Sequence, residues 1–94
     1  MENPSAPLAE TRHGTLIGVT DEDCLVWRGI PYAAPPVGPL RWRAPQPSEP
    51  WEGVRVADTF SASSWQNGEI CTQIAGGDPG KLSEDCLYLN VWAP

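Results

Sequence analysis

Between Gly29 and Trp51 the chain reads GIPYAAPPVGPLRWRAPQPSEPW, with prolines at positions 31, 35, 36, 39, 45, 47 and 50. Each proline lacks a backbone N–H, holds its own φ near about −65°, and pushes the residue before it into extended geometry. Nearly a quarter of the 94 residues is thereby barred from helix and from the interior of a sheet. What remains is a stiff extended loop, pinned by Tyr32, Trp42 and Trp51. One competing use of such a stretch is as a free polyproline ligand for an SH3- or WW-type groove. The aromatics inside it and the β-prone text on both sides favour packing against its own protein instead.

On the amino-terminal side, Thr15-Leu16-Ile17-Gly18-Val19-Thr20 and Cys24-Leu25-Val26-Trp27-Arg28 are short β-prone runs. They are joined by Asp21-Glu22-Asp23, a polar connection suited to a hairpin. Ahead of them Pro4 and Pro7 interrupt any ladder and little apolar surface is offered, so residues 1–12 are expected to form a flexible lead-in, with order beginning near His13. On the other side Val54-Arg55-Val56-Ala57 alternates and predicts a third short strand. Asn67-Gly68, Gly76-Gly77 and Asp78-Pro79-Gly80 then mark turns of a surface loop. The chain closes on Cys86-Leu87-Tyr88-Leu89-Asn90-Val91-Trp92. There Leu87, Leu89 and Val91 share one face and Cys86, Tyr88 and Trp92 the other, so both faces are largely apolar. Such a strand wants cover on two sides, and a chain this short builds only a small core, burying about 60–70% of the surface its unfolded form exposes. Five tryptophans are expected to enlarge that core, since each large aromatic can bury about 150–250 Å².

Charge narrows the partners. Twelve acidic residues against six basic give a net charge of −6, which disfavours surfaces that neutralise phosphates or anionic lipid. Nucleic acid and membranes are therefore not expected partners. The start, MENPSAPLAETRHG, has neither a basic segment nor an apolar one of the kind that directs export, and no run nears the roughly 18 apolar residues of a spanning helix. The expectation is a soluble, cytoplasmic chain. Three cysteines, at 24, 71 and 86, lack the close Cys/His pairs of a zinc site, so neither a metal nor another cofactor is expected.

Two blocks carry a family resemblance. Glu84-Asp85-Cys86-Leu87-Tyr88-Leu89-Asn90-Val91 resembles the EDCLYLNV signature of the type-B carboxylesterases, the cholinesterase-like branch of the α/β-hydrolases. Upstream, Trp27-Arg28-Gly29-Ile30-Pro31-Tyr32-Ala33-Ala34-Pro35-Pro36-Val37-Gly38 is similar to that family's F-x-G-I-P-Y-A-x-P-P-x-G, and Leu40-Arg41-Trp42 to its L-R-F. The resemblance implies a mainly β chain with long irregular loops. Residues 13–94 would be the N-terminal part of a carboxylesterase α/β-hydrolase domain, a small antiparallel sheet plus the first core strand, incomplete in this chain.

The chemistry implied is hydrolysis of a carboxylic ester by a serine nucleophile, a histidine base, an orienting acid and an oxyanion hole. None of it is spelled here. Ser5, Ser48, Ser61, Ser63, Ser64 and Ser83 all lie outside a Gly-x-Ser-x-Gly elbow, the one histidine is His13, and no HGGG-type run occurs. No catalytic residue is expected, and the chain by itself is expected to be inactive, a small ester being the partner of a full-length parent. By position in the motifs, the resemblance carries over an ion pair between Arg41 and Glu84 and marks Cys71 and Cys86 as a disulfide candidate. The loop from Thr72 to Asp85 holds no aromatic, so choline esters are unsupported and a short-chain or aryl ester is the safer class. The alternative reading is a non-catalytic interaction module derived from an esterase. In either case a closing strand without neighbours is expected to drive self-association.

Overall fold

The computed structural model describes residues 6–70 and 78–94. Among these residues six strands form two three-stranded sheets: β1 (Leu8–Thr11), β2 (Gly14–Ile17), β3 (Val19–Asp21), β4 (Cys24–Pro31), β5 (Val54–Val56) and β6 (Tyr88–Ala93). One sheet runs in the order β1-β2-β5 and the other β3-β4-β6. The mainly β class with long irregular loops is what the structure has. No helix among the described residues is long and apolar enough to cross a membrane.

Order begins earlier than the residues suggest. The expected lead-in over residues 1–12 is corrected at Leu8–Thr11, which pairs antiparallel with β2 from Leu8 opposite Ile17 to Thr11 opposite Gly14. The cause is a tight turn. The Thr11 hydroxyl donates to the Gly14 carbonyl at 2.7 Å and accepts from the amides of His13 and Gly14 at 3.2 Å each, a side chain standing in for a ladder bond.

The expected run from Thr15 to Thr20 is two strands, not one. It breaks at Gly18, whose N–H goes to the Pro7 carbonyl at 2.8 Å, and β3 leaves for the second sheet. A Cβ at Gly18 would sit 2.2 Å from the Val26 carbonyl oxygen and 2.8 Å from the Trp27 ring, so the crossing needs a residue with no side chain. Beyond it β3 and β4 form the expected hairpin, Asp21 opposite Cys24, with Glu22 at φ 56 in the turn.

β5 returns after the proline loop and pairs with β2 in parallel, Thr15 opposite Val54 and Ile17 opposite Val56. A connection this long permits the parallel arrangement that a short hairpin forbids. The chain just after β5 then stitches the two sheets together. Ala57 donates to Ile17 O at 2.8 Å in the first sheet, and its own carbonyl accepts from Arg28 N–H at 2.8 Å in the second.

The proline loop is extended apart from one 3-10 turn at Gly38–Leu40, but its first three residues, expected to stay out of any sheet interior, are the end of β4, the middle strand of its sheet, because Pro31 stands at the strand's last position opposite Tyr88. The long excursion between residues 63 and 82 is tied at its neck. Ser63 donates its N–H to Lys81 O at 2.9 Å and its hydroxyl to Pro79 O at 2.8 Å, and Ser83 N–H reaches back to Ser63 O at 2.9 Å.

The closing strand is not without neighbours. Leu25, Val26, Trp27, Ile30 and Pro31 of β4 face Ala93, Trp92, Val91, Leu89 and Tyr88 of β6, antiparallel. Only its outer side is an edge. Even so, burial is thin. Among the described residues the buried apolar side chains are Leu16, Val26, Ala33 and Ala57, and the radius of gyration is 15.2 Å where a compact domain of about 100 residues has about 13 Å.

Candidate functional site

The bulge in β4 organises the half of the molecule that holds both sequence blocks. Between Trp27 and Ile30 the register with β6 slips, so that Arg28 and Gly29 stand against Asn90 alone. Gly29 takes φ 76, and a Cβ there would meet Thr59 O at 2.6 Å. Only glycine fits both demands. Its N–H, out of step with the ladder, donates to the Asn90 side-chain oxygen at 2.9 Å. Asn90 thus satisfies the donor that the bulge frees within an otherwise apolar strand. Sequence reasoning passed over both residues, though a glycine inside a strand pattern and a lone amide inside an apolar one are the signals that could have found them.

Arg28, at the same bulge, reaches three ways. Its guanidinium lies 3.3 Å from Asp21 Oδ2, donates to Asp58 O at 3.5 Å, and sits 5.1 Å from the centre of the Phe60 ring. Phe60 in turn meets Trp92 with ring centres 6.3 Å apart and tilted by 40°. One cation therefore joins the β3 end, the segment after β5 and the β6 face.

Arg41 and Glu84 are brought together from opposite sides of the chain. The Arg41 Nε donates to Glu84 Oε2 at 2.7 Å and Nη2 to Oε1 at 2.5 Å, a two-pronged contact. It closes the proline loop against the approach to β6. Both side chains are partly in solvent, so the pair fixes geometry more than it adds stability, about 0–1 kcal/mol. Beside it Cys86 is half-buried, while Cys71 lies outside the described residues.

A polar cleft of about 920 Å³ is lined among others by Ser61, Ser63, Asp85, Cys86, Tyr88 and Asn90. Burial first, and then the neighbouring Asp85 carboxylate, raise the Tyr88 hydroxyl above its ordinary value, against a smaller opposing pull from Arg55. Hydroxyls are present there, yet none of the residues lining the cleft is a histidine. His13 instead occupies the β1–β2 turn, where its carbonyl accepts from Trp51 N–H at 2.9 Å. The cleft thus brings together a hydroxyl and a carboxylate, Tyr88 and Asp85.

Comparison with known proteins matches this frame throughout. The chain is 47% identical over 91 residues to phenmedipham hydrolase of Pseudarthrobacter oxydans, covering 94% of this chain and 18% of that protein. It is 39% identical over 87 residues to para-nitrobenzyl esterase of Bacillus subtilis, covering 93% and 18%. Among solved structures, a PNB esterase superposes with a TM-score of 0.84 at 40% identity, covering 93% of this chain and 18% of that one. A carboxylesterase of Geobacillus stearothermophilus does so at 0.78 and 41%, covering 93% and 16%. The chain thus spans under a fifth of the length of the relatives it matches. With residues 5–94 matching the family's sequence profile, and with the bulge and both motif blocks in one β framework, this chain belongs to the carboxylesterase family.

Proposed function

We propose that this chain is the amino-terminal β portion of a serine esterase that hydrolyses carboxylic esters, and that it supplies framework rather than reacting groups. The observation that carries the reading is the superposition on a PNB esterase over 93% of this chain at 40% identity. In that role the Arg41–Glu84 contact holds the proline loop against the strand that follows the EDCLYLNV block, and the Gly29–Asn90 clamp sets the angle at which β6 enters the remainder of the enzyme. Nucleophile, base and oxyanion donors belong to sequence beyond these residues. The substrate is a short-chain or aryl ester, in line with the names of its relatives, para-nitrobenzyl esterase and phenmedipham hydrolase.

Exchanging the matching segment of the Bacillus para-nitrobenzyl esterase for this chain tests the proposal. The chimera is expected to fold and to hydrolyse p-nitrophenyl acetate with saturation, while the 94-residue chain alone gives no turnover above that of denatured protein. A folded but inert chimera overturns the framework role. Saturable turnover by the chain alone overturns the assignment of the reacting groups to other sequence.

A further inference from the structure

The chain has three asparagines, at positions 3, 67 and 90. An asparagine modifies itself when the main-chain nitrogen of the next residue attacks its side-chain carbonyl carbon, so the residue that follows decides its fate. Asn3 precedes Pro4, which has no N–H to become the nucleophile. Asn90 precedes the β-branched Val91, which stands in the β4–β6 ladder opposite Trp27, and its own oxygen is held by the Gly29 N–H at 2.9 Å. Asn67 precedes Gly68 and is exposed.

Gly68 stands apart from the other described glycines. Each of those is demanded by the fold, through a positive φ or through a neighbour too close for a Cβ. At Gly68 a Cβ would meet Pro79 Cγ at 3.6 Å and Cδ at 3.8 Å, which is ordinary van der Waals contact. The fold would accept alanine there. What the missing side chain provides is a main-chain nitrogen that no side chain of its own shields, directly beside the Asn67 amide. That amide is also set up for addition. Its Oδ1 accepts from Ile70 N–H at 3.1 Å, which puts a donor on the atom where negative charge gathers when a nucleophile adds to the carbonyl.

We propose that Asn67-Gly68 is a self-modification site, at which this chain converts an amide to a carboxylate without an enzyme. The Gly68 nitrogen gives up its proton to water and bonds to Asn67 Cγ. The Cγ–Nδ2 bond then breaks, and Nδ2 takes back a proton and leaves as ammonia. Water opens the cyclic imide in one of two ways. Cleavage of the new N–Cγ bond leaves aspartate, and cleavage of the old main-chain bond leaves isoaspartate, whose main chain runs through Cβ and Cγ. Either product adds one negative charge to the net −6.

The neck decides what this does to the fold. Asn67 and Gly68 lie within the excursion that the Ser63 bonds close, and neither belongs to a strand. Both sheets therefore keep their ladders when residue 67 changes. The reacting atoms sit on adjacent residues, so the reaction needs no partner chain, and the proposal does not depend on the esterase reading.

Holding the folded 94-residue chain at about 37 °C and about pH 8, where hydroxide can take the main-chain proton, tests it by peptide mapping and by ammonia release. Residue 67 is expected to convert to a mixture of aspartate and isoaspartate while Asn90 stays an amide over the same period. Isoaspartate is the signature, because direct hydrolysis of the side chain gives aspartate alone. Gly68→Ala, which the structure accepts, is expected to slow the conversion roughly tenfold or more. Asn67→Asp is expected to unfold in urea at the parent's midpoint. Aspartate without isoaspartate, equal rates in the parent and Gly68→Ala, conversion of Asn90 as fast as that of Asn67, or a lowered midpoint for Asn67→Asp overturns the proposal.

Discussion

Trp51 and Trp42 sit nine residues apart on the same proline-rich loop and meet opposite fates. Trp51 is sewn to β2: its indole N–H donates to Thr15 O at 2.9 Å, its main-chain N–H to His13 O at 2.9 Å, and the Arg55 guanidinium lies 5.4 Å from the ring centre. Trp42 is 95% exposed and stands at φ 63, a conformation that costs a residue with a side chain about 1–2 kcal/mol. Both belong to one stiff segment, so stiffness does not decide burial. The receiving surface does. Gly14 presents bare backbone to Trp51, close enough that a Cβ there would lie 2.5 Å from the indole nitrogen, and among the described residues no glycine plays that part for Trp42.

The comparison breaks most decisively at the receiving surface. Gly14→Val should unseat Trp51 and cost about 3–5 kcal/mol, the range for losing a large aromatic from its site, measured by urea unfolding of the chain. Trp51→Ala should cost about 3 kcal/mol, the lower end because the ring is only half-buried. If Gly14→Val proved harmless, the glycine would not be what seats the ring. Glu84→Ala, which frees the Trp42 end of the loop by releasing Arg41, should cost about 1 kcal/mol or less and lose its effect in high salt. Trp42→Asn should be neutral or stabilising by about 0.5–1 kcal/mol, because asparagine tolerates positive φ. A loss instead would mean that the indole is packed.

The smallest effect concerns pH. Tyr88 has its hydroxyl raised by burial, so the folded state holds that proton more tightly than the unfolded chain. Its contribution is fully present below the ordinary tyrosine value of about 10 and is lost as pH rises through the higher folded value. Tyr88→Phe should therefore match the parent at neutral pH and fall less steeply in a thermal melt above about pH 10.

What could be read from residues follows from how local each cause is. The course of residues 32–51 was legible because proline restricts itself and its predecessor wherever it stands, and the β3–β4 hairpin because its turn residues are contiguous. The Gly18 break was not, because Leu16, Ile17 and Val19 continue a β-prone run and only the approach of Val26 and Trp27 demands the gap. β1 was hidden behind Pro4 and Pro7, since its stability comes from the Thr11 turn and from β2. The partner of β6 was hidden by distance, as β4 lies some sixty residues upstream. At the site, Arg41 and Glu84 could be named only through motif positions, for nothing in their spacing of 43 residues brings them together. The Gly29–Asn90 clamp left a faint mark as two residues that each look out of place.

The neck at Ser63 has a consequence for how such a chain can change over generations. Three hydrogen bonds from residues 63 and 83 close the excursion at its base, so the sheets do not register how much chain lies beyond them. Doubling a closed loop adds only about 0.6 kcal/mol of entropic cost. The stretch between Ser63 and Leu82 is therefore a place where insertions and deletions can accumulate nearly free of selection on folding, and where one framework can try many rims.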